Sequence, residues 1–376
     1  MNISEFCKIY TGTGFPIEFQ GKKDGKYPFY KVSDISASNA QQKIFLGSAN
    51  NYIDEFDVSM LKGNIIPAGT IVFAKIGEAL KLNKRAITSC ECLIDNNVIG
   101  IKPDDNIINL LYFYYYLLKI DMIHYSESTT LPSVRKSTIE KIEVKIPPID
   151  VQNKRVSILN LCHETIKYKV ELLYNLELLV KSRFVEIFGA FNINRNNYNT
   201  IKFKDLIEQN NINEEDMVWL LNLDMIKSNT GEIIEKVYIN RQNIPTSSIS
   251  FKKGTVLYSK LRPYLNKVVI ADENGYGTSE LIPLNSYKNG LTAEYLAYYL
   301  RQDSFVEYIK DKVTGAKMPR VAMDILRNID IIQPNYISQE QFSSFVNQIN
   351  KLKSDVQKSI DETQLLMDSL MQEYFG

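Results

Sequence analysis

The 376-residue chain carries 44 basic and 44 acidic side chains, so its formal charge at pH 7 is zero. A protein-wide basic field that attracts nucleic acid is therefore excluded, and any nucleic-acid surface must be local. No apolar run reaches the ~18–20 residues that a transmembrane helix needs, and the N-terminus lacks the pattern of a secretory signal. We expect a soluble, cytoplasmic protein of two or three folded units with no membrane partner.

The cysteines and histidines offer little for a disulfide framework or a metal site. The cysteines form no CxxC pair, and only two histidines accompany them, so a zinc site has few available ligands. We expect no metal and no cofactor in this chain. The residues concerned are Cys7, Cys90, Cys92, Cys162, His124 and His163.

The predicted elements follow one order twice along the chain. Short β-rich runs separated by Gly, Asn and Pro turns come first, and one helix with the motif YxxYYL (112–117) interrupts them. A long helix is predicted over 151–188. β-rich runs, a second YxxYYL helix (295–300) and a second long helix over 338–375 then repeat this order.

Direct sequence similarity between the two halves supports a duplication. Matching segments keep their order and recur after 183 to 187 positions. A weaker match joins FYKVSDI (29–35) to WLLNLDM (219–225). The stronger pairs are GTIVFAKI (69–76) with GTVLYSKL (254–261), LPSVRKSTIEKIEVKIPP (131–148) with MPRVAMDILRNIDIIQPN (318–335), and KSRFVEIFG (181–189) with DSLMQEYFG (368–376).

Both long helices carry an apolar stripe with an average spacing of 3.5 residues, which is the period of a coiled coil. A helix of about 38 residues spans roughly 57 Å at 1.5 Å per residue. Two stripes of equal length in one chain favour packing of the helices on each other; two separate amphipathic helices are the alternative. The stripes are Leu159, Cys162, Ile166, Val170, Leu173, Leu176, Val180, Phe184 and Ile187, and then Val346, Ile349, Leu352, Val356, Ile360, Thr363, Met367, Leu370 and Tyr374.

Motifs of catalysis are largely missing. The sequence has no GxxxxGK[ST] loop, no GxGxxG after a strand and no Asn/Asp-Pro-Pro-aromatic segment. His163 is interpreted as an exposed helix residue rather than a ligand. The acidic groups Asp104-Asp105 and Glu214-Glu215-Asp216 lie in turn-like stretches, where we consider a solvated surface more plausible than a nuclease metal site.

Basic residues cluster at equivalent places in the two halves, beside a β-rich run and before the long helix. Lys and Arg on loops beside a rigid sheet are a common means of binding phosphates, and Arg also reads guanine edges. A solvated surface with compensating acids is the alternative, but the recurrence favours DNA binding. The candidates are Lys75, Lys81, Lys84, Arg85, Arg135 and Lys136 in the first half, and Lys260, Arg262, Lys267, Lys317 and Arg320 in the second.

The YxxYYL motifs place aromatic rings at i, i+3 and i+4, on one face of a helix. Such a stripe can stack on bases or fill a core, and we predict that it fills the core.

The sequence resembles the DNA-specificity subunit of type I restriction-modification systems. The family pattern G-[DT]-[IV]-[LV]-x-S-x-x-R-P corresponds to residues 254–263, and residues 69–77 match it without the Arg-Pro. The exit pattern L-x-x-I-x-[IV]-P-x-P-x-x-x-Q is similar to 139–152 and to 326–339. Thr278-Ser279-Glu280 fits the family's [ST]-[ST]-E before a strand.

This resemblance implies an α+β fold. Two duplicated α/β target recognition domains would be separated by two long helices, which form an antiparallel coiled coil with pseudo-twofold symmetry. The implied division is recognition domain 1 (1–149), central spacer helix (150–189), recognition domain 2 (190–336) and C-terminal spacer helix (337–376).

The resemblance also implies a non-catalytic function. Each domain would read one half of a bipartite site in double-stranded DNA, while the helices would set the spacing and dock two methyltransferase subunits that bind S-adenosylmethionine. Restriction and translocase subunits would join them. A self-contained nuclease or methyltransferase with a divergent site is the main alternative, and a protein-binding scaffold is the second.

Overall fold

The computed structural model describes residues 1–127, 131–194, 196–208, 212, 216–315 and 317–376. The chain divides into two compact units. Unit 1 contains Met1–Val170 and Lys358–Gly376, and unit 2 contains Glu171–Gln357. Each unit therefore combines one β-rich half of the chain with parts of both long helices.

Unit 1 pairs its strands in two sheets, with the orders β1-β7-β4-β5 and β3-β2-β6. All neighbours are antiparallel except β2 and β6, which are parallel. The strands are β1 (Cys7–Thr11), β2 (Tyr27–Tyr30), β3 (Tyr52–Ile53), β4 (Ile71–Ala74), β5 (Arg85–Ile87), β6 (Leu93–Ile94) and β7 (Val98–Pro103). The helices are α1 (Ile3–Phe6), α2 (Val32–Ala40), α3 (Glu55–Leu61), α4 (Glu78–Lys81), α5 (Leu110–Lys119), α6 (Lys136–Ile139), the first part of α7 (Ile149–Phe188) and the last part of α12 (Tyr336–Phe375).

Unit 2 has sheets in the orders β10-β9-β14-β11 and β13-β12-β15, and the pairs β16-β17 and β18-β8. Its strands are β8 (Asn199–Lys202), β9 (Met217–Leu221), β10 (Val237–Asn240), β11 (Ile249–Phe251), β12 (Val256–Ser259), β13 (Val268–Ile270), β14 (Gly275–Gly277), β15 (Leu281–Leu284), β16 (Val313–Thr314), β17 (Arg320–Val321) and β18 (Asp330–Gln333). Its helices are the second part of α7, α8 (Phe203–Leu206), α9 (Ala293–Arg301), α10 (Asp303–Lys310), α11 (Met323–Arg327) and the first part of α12.

Strand pairing confirms the duplication. The antiparallel set β4, β5 and β7 of unit 1 corresponds to β12, β13 and β15 of unit 2. The parallel pair β2-β6 corresponds to β9-β14, so even the weak sequence match at 29–35 and 219–225 marks equivalent strands. The predicted α+β class is confirmed as well.

The two YxxYYL helices, α5 and α9, are confirmed as core elements. Tyr112 and Tyr115 are buried in unit 1, and Tyr295 and Tyr299 are buried in unit 2. Their rings pack in the main apolar cluster of each unit. They are therefore not available to stack on bases.

The long helices α7 and α12 each have 40 residues, two more than predicted at the N-terminal end of each. In unit 1, Arg155 Nη1 donates to Tyr374 O at 2.9 Å and Lys169 Nζ to Ser359 Oγ at 2.6 Å. Early residues of α7 thus meet late residues of α12, which is antiparallel packing.

The same antiparallel packing is found in unit 2. Lys353 forms an ion pair with Glu177, and the rings of Phe184 and Phe342 lie 5.3 Å apart. Leu352, predicted in the apolar stripe, is exposed, and the neighbouring Lys353 is half-buried instead. A lysine stem can pack along apolar surface while its ammonium group reaches a carboxylate.

A buried glutamine fixes the start of each long helix. Gln152 Oε1 accepts from Asn109 N at 2.8 Å, and Gln339 Oε1 accepts from Thr292 N at 2.9 Å. Asn109 and Thr292 are the N-caps of α5 and α9. The glutamine that closes the exit pattern therefore joins the tyrosine helix to the long helix in both units.

Membrane spanning is not indicated, because no helix of the described chain combines sufficient length with sufficient apolar character.

Candidate nucleic-acid interface

In unit 2, the loop after β12 is held to β17 by backbone hydrogen bonds. Arg262 N donates to Pro319 O at 2.8 Å, and Val321 N donates to Lys260 O at 3.1 Å. The two basic clusters that the sequence predicted in this half therefore come together. We call residues 260–262 and 317–321 the unit 2 junction.

Unit 1 has the same backbone arrangement. Gly77 N donates to Pro132 O at 2.8 Å, and Val134 N donates to Lys75 O at 2.9 Å. We call residues 75–77 and 132–136 the unit 1 junction. Because the bonds match one for one, the two junctions are equivalent products of the duplication.

Three basic side chains of the unit 2 junction have no partner among the described residues. Arg262 and Lys317 are exposed, and Lys260 is half-buried. Within the described part of the chain, no hydrogen bond or ion pair engages these three side chains. They are therefore available to an anionic ligand.

Arg320, the fourth cation of this junction, is bound to a carboxylate. Its Nε and Nη2 donate to Glu280 Oε1 at 2.9 and 2.7 Å. The hydrogen bond to Glu280 raises the pKa of Arg320 above its ordinary value. Glu280 ends the segment Thr278-Ser279-Glu280, so the resemblance already marked this residue, but no sequence pattern showed its partner.

The unit 1 junction forms a small cationic pocket of about 300 Å³. Lys75, Arg135 and Lys136 line it together with Thr11 and Ser133. Arg135 also pairs with Glu127 at 2.8 Å, and Lys136 lies 3.8 Å from Glu140. Three cations and two hydroxyl groups around one pocket suit an oxyanion such as a phosphate.

Arg85 is wrongly predicted as a DNA contact, because its side chain is inside unit 1. The residue is 1% exposed, and its guanidinium lies over the Phe73 ring at 4.3 Å and donates to Asn83 Oδ1 at 2.6 Å. Burial lowers the pKa of Arg85 to about 10. Sequence could not distinguish this arginine from a surface cation, since its burial depends on packing against Phe73.

The remaining predicted cations lie outside the two junctions. Lys267 Nζ donates to Leu223 O at 2.5 Å, so its ammonium group is engaged within the fold. Lys81 is exposed and pairs with Glu78 at 2.6 Å, and Lys84 is half-buried.

The junction loops differ in backbone conformation, which explains the missing Arg-Pro of unit 1. Arg262 has φ 46° and ψ 59°, the left-handed region that non-glycine residues enter at a modest cost. Gly77 has φ 76° and ψ −164°, a region essentially restricted to glycine. An arginine cannot replace Gly77 without a change of the loop.

The described residues contain no grouping of His, Cys, Asp and Glu that could hold a metal ion. Of the acidic groups, Asp105 pairs with Lys102 at 2.8 Å, while Glu214 and Glu215 lie outside the described residues. The expectation that His163 is an exposed helix residue is wrong, because the side chain is half-buried and its Nε2 lies 3.0 Å from Gln42 O.

One large cleft was not anticipated from the sequence. It has a volume of about 1130 Å³ and lies in unit 2 between α12, the turn before β12 and the start of α9. Its lining includes Lys252, Lys253, Glu294, Glu340 and Lys351.

These features define a duplicated α+β protein with long antiparallel helices and a cationic loop junction in each half. Residues 1–178 match the family described as type I restriction modification DNA specificity domain. This first part of the chain is therefore similar to that family, which confirms the resemblance noted from its motifs.

Curated relatives show the same similarity. The chain is 23% identical over 147 residues to the type I restriction enzyme EcoDI specificity subunit of Escherichia coli, which is 39% of this chain and 32% of that protein. It is 25% identical over 152 residues to the MjaIX specificity subunit of Methanocaldococcus jannaschii, with 38% and 34% covered. The matched regions thus span about a third of each relative.

Solved structures extend the similarity of fold to the whole chain. The type I restriction-modification S subunit from M. genitalium matches with a TM-score of 0.55 and 11% identity, covering 100% of this chain and 95% of that one. A chain from a study of complex assembly and conformational transition of the type I R-M system matches with a TM-score of 0.59 and 14% identity, covering 100% and 96%.

Proposed function

We propose that this chain is the non-catalytic DNA-recognition subunit of a type I restriction-modification complex, in which each unit reads one part of a bipartite site. The observation that carries the proposal is the recurrence of one cationic junction in both units. Loop cations held by a rigid sheet can bind phosphates and base edges of double-stranded DNA.

The proposed DNA-contacting residues are those of the two junctions. In unit 1 they are Lys75, Arg135 and Lys136, and in unit 2 they are Lys260, Arg262, Lys317 and Arg320. Lys81 and Lys84 remain candidates beside the unit 1 junction. Few phosphate contacts per unit agree with the zero net charge, and they make affinity sensitive to salt.

The proposed partners are two methyltransferase subunits, which bind S-adenosylmethionine, and restriction or translocase subunits. Recognition domains at 1–149 and 190–336 would be joined by spacer helices at 150–189 and 337–376. The helices would set the number of base pairs between the half-sites and dock the methyltransferase subunits. A complex of this kind acts in the cytoplasm, where its DNA is.

The first experiment measures methylation by the assembled complex, with sequencing of the modified sites. Arg262→Ala is expected to relax selection at one half-site by about 1–3 kcal/mol if Arg262 reads a base. Arg327→Ala, on the exposed surface of unit 2, is the matched control. An unchanged site for Arg262→Ala would contradict the assignment of the unit 2 junction.

The spacer proposal has its own test. Four residues inserted after Leu173 and four after Ile360 add about 6 Å to each helix at 1.5 Å per residue. Because base pairs rise ~3.4 Å along one strand, the gap is expected to widen by one or two base pairs with unchanged half-sites. An unchanged gap at full activity would refute the spacer role.

The alternative of a self-contained nuclease or methyltransferase is tested with the purified chain alone. S-adenosylmethionine and magnesium are supplied with DNA, and no turnover is expected. Turnover by the chain alone would replace the recognition proposal. Selective DNA binding by the assembled complex would contradict a purely protein-binding scaffold.

A further inference from the structure

Glu280 holds Arg320 by one side of its guanidinium. Nε and Nη2 both donate to Glu280 Oε1, at 2.9 and 2.7 Å. The remaining recorded contact is a long one, from Nη1 to Met318 O at 3.4 Å. Since the Nε side is occupied, the edge formed by Nη1 and Nη2 is left for another acceptor, and the Arg320 side chain is 42% exposed.

Glu280 is itself fixed by the fold. Its backbone N donates to Thr278 Oγ1 at 3.3 Å, and its backbone O accepts from Lys260 N at 3.0 Å. Its side chain is only 18% exposed, and Oε2 is buried with no hydrogen-bond partner in the described part of the chain. The carboxylate therefore has little freedom to release Arg320.

The pair of Glu280 and Arg320 is not explained by a contribution to stability. A partly exposed ion pair contributes little to the free energy of unfolding, and a buried acceptor without a partner lowers it. It is a good device for orientation, because an arginine that is held in place loses less side-chain entropy when it binds.

Unit 1 has no arginine–carboxylate pair at the two positions equivalent to Glu280 and Arg320. In unit 1, Lys75 N donates to Asn97 O at 2.9 Å, which places Asn97 where Glu280 stands. Ser133 forms an isolated β-bridge with Ile76 in unit 1, as Arg320 does with Leu261 in unit 2. Ser133 therefore occupies the position of Arg320. Neither Asn97 nor Ser133 carries a charge.

We propose that Glu280 is a positioning residue that presents the free edge of Arg320 to a guanine in the half-site of unit 2. The inference rests on the proposed function and names the base class that this junction reads. Two parallel N–H groups of an arginine match the O6 and N7 acceptors of guanine in the major groove.

The test uses the assembled complex and duplex DNA that carries the methylation site mapped for the unaltered complex. Each guanine of that site is replaced in turn by 7-deazaguanine, which lacks the N7 acceptor. At one guanine of one half-site, this replacement is expected to lower the DNA affinity of the unaltered complex about tenfold. Arg320→Ala and Glu280→Gln are each expected to bind normal DNA about tenfold more weakly and to become insensitive to the 7-deaza change.

Non-additivity separates positioning from independent roles. The double variant Glu280→Gln with Arg320→Ala is expected to be no weaker than Arg320→Ala, because Glu280 acts through the arginine. Arg327→Ala, which removes an exposed arginine paired with Asp324 in the same unit, is the matched control and is expected to retain full discrimination. Hydrogen exchange in unit 2 reports whether each variant is folded.

Three results would overturn the proposal. One is a Glu280→Gln complex that discriminates guanine as the unaltered one does. Another is equal weakening on all sequences with a shallower salt dependence, which marks Arg320 as a phosphate contact. The third is a weakening of DNA binding that disappears once the measured affinity is corrected for the fraction of folded protein. If the unaltered complex selects no site, the proposed function itself fails.

Discussion

The two junctions share a backbone and differ in chemistry. Unit 1 surrounds a pocket of about 300 Å³ with Lys75, Arg135 and Lys136. In unit 2, Arg262 is exposed and has a left-handed backbone conformation, and Glu280 holds Arg320 in place. The comparison teaches that duplication preserves the hydrogen-bonded frame, which the fold needs, while the side chains on the frame are free to diverge.

The backbone at the junction limits that divergence. Gly77 adopts a conformation that is essentially restricted to glycine, whereas Arg262 adopts one that an arginine tolerates. The pocket of unit 1 and the exposed arginine of unit 2 are thus two alternatives, each tied to its own loop conformation.

The largest expected effect concerns Arg85, a buried arginine that the sequence did not distinguish from the surface cations of the junctions. Arg85→Ala should lower the free energy of unfolding of unit 1 by about 3 kcal/mol, because buried packing and several hydrogen bonds are lost. Hydrogen exchange in unit 1 measures this loss, with Arg135→Ala as the exposed control. Normal stability with altered DNA selection would show that Arg85 acts at the surface after all.

The equivalent glutamines allow a matched comparison of the units. Gln339→Ala removes bonds to Thr292 N, Gly290 O and Pro334 O, whereas Gln152→Ala removes bonds to Asn109 N and Pro147 O. We expect destabilisation of about 2–3 kcal/mol for Gln339→Ala and somewhat less for Gln152→Ala. Hydrogen exchange resolved by unit measures both, and the reverse order would contradict the bond count as the cause.

Gly77→Ala tests the conformational difference between the junctions. We expect a loss of about 1–3 kcal/mol in unit 1, from backbone strain alone. A Cβ at this position meets nothing closer than Leu131 Cδ1 at 3.9 Å, so steric overlap contributes little. Gly14→Ala, with open space around the added Cβ, is the control, and equal losses for the two variants would exclude strain as the reason.

Arg262→Gly is expected to separate stability from recognition. Relief of the left-handed conformation, about 1–2 kcal/mol, is largely offset by the greater unfolded-state entropy of glycine, about 0.4–1 kcal/mol. Thermal unfolding should therefore be unchanged or slightly raised, while the half-site of unit 2 is read less selectively. A destabilised variant would mean that the arginine side chain supports the loop.

The smallest effect is a dependence of unit 1 on pH. Burial lowers the pKa of His163 below its ordinary value of 6.5. The unfolded chain then binds a proton more readily than the folded one, so stability is greatest above pH 6.5 and declines as the pH falls through the folded-state pKa. Hydrogen exchange in unit 1 at several pH values should show this decline, and His163→Gln should reduce it. A decline of the same size in His163→Gln would assign it to other groups.

Sequence patterns predicted the elements that depend on local spacing. The 3.5-residue stripe predicted α7 and α12, and the YxxYYL spacing predicted helices whose rings face a core. Repeated segments predicted the duplication. These predictions succeeded because hydrophobic periodicity and repetition are written in consecutive residues.

The sequence by itself determined the duplicated α+β architecture, the long helices and the two regions where cations gather. Only the tertiary structure decided which cations those regions present. Arg85 is buried against the Phe73 ring, Lys267 is bound to Leu223 O, and Arg320 is held by Glu280, which is 40 residues away in the chain. Burial and ion pairing depend on residues that are distant in sequence and neighbours in space, and composition and spacing do not record that proximity.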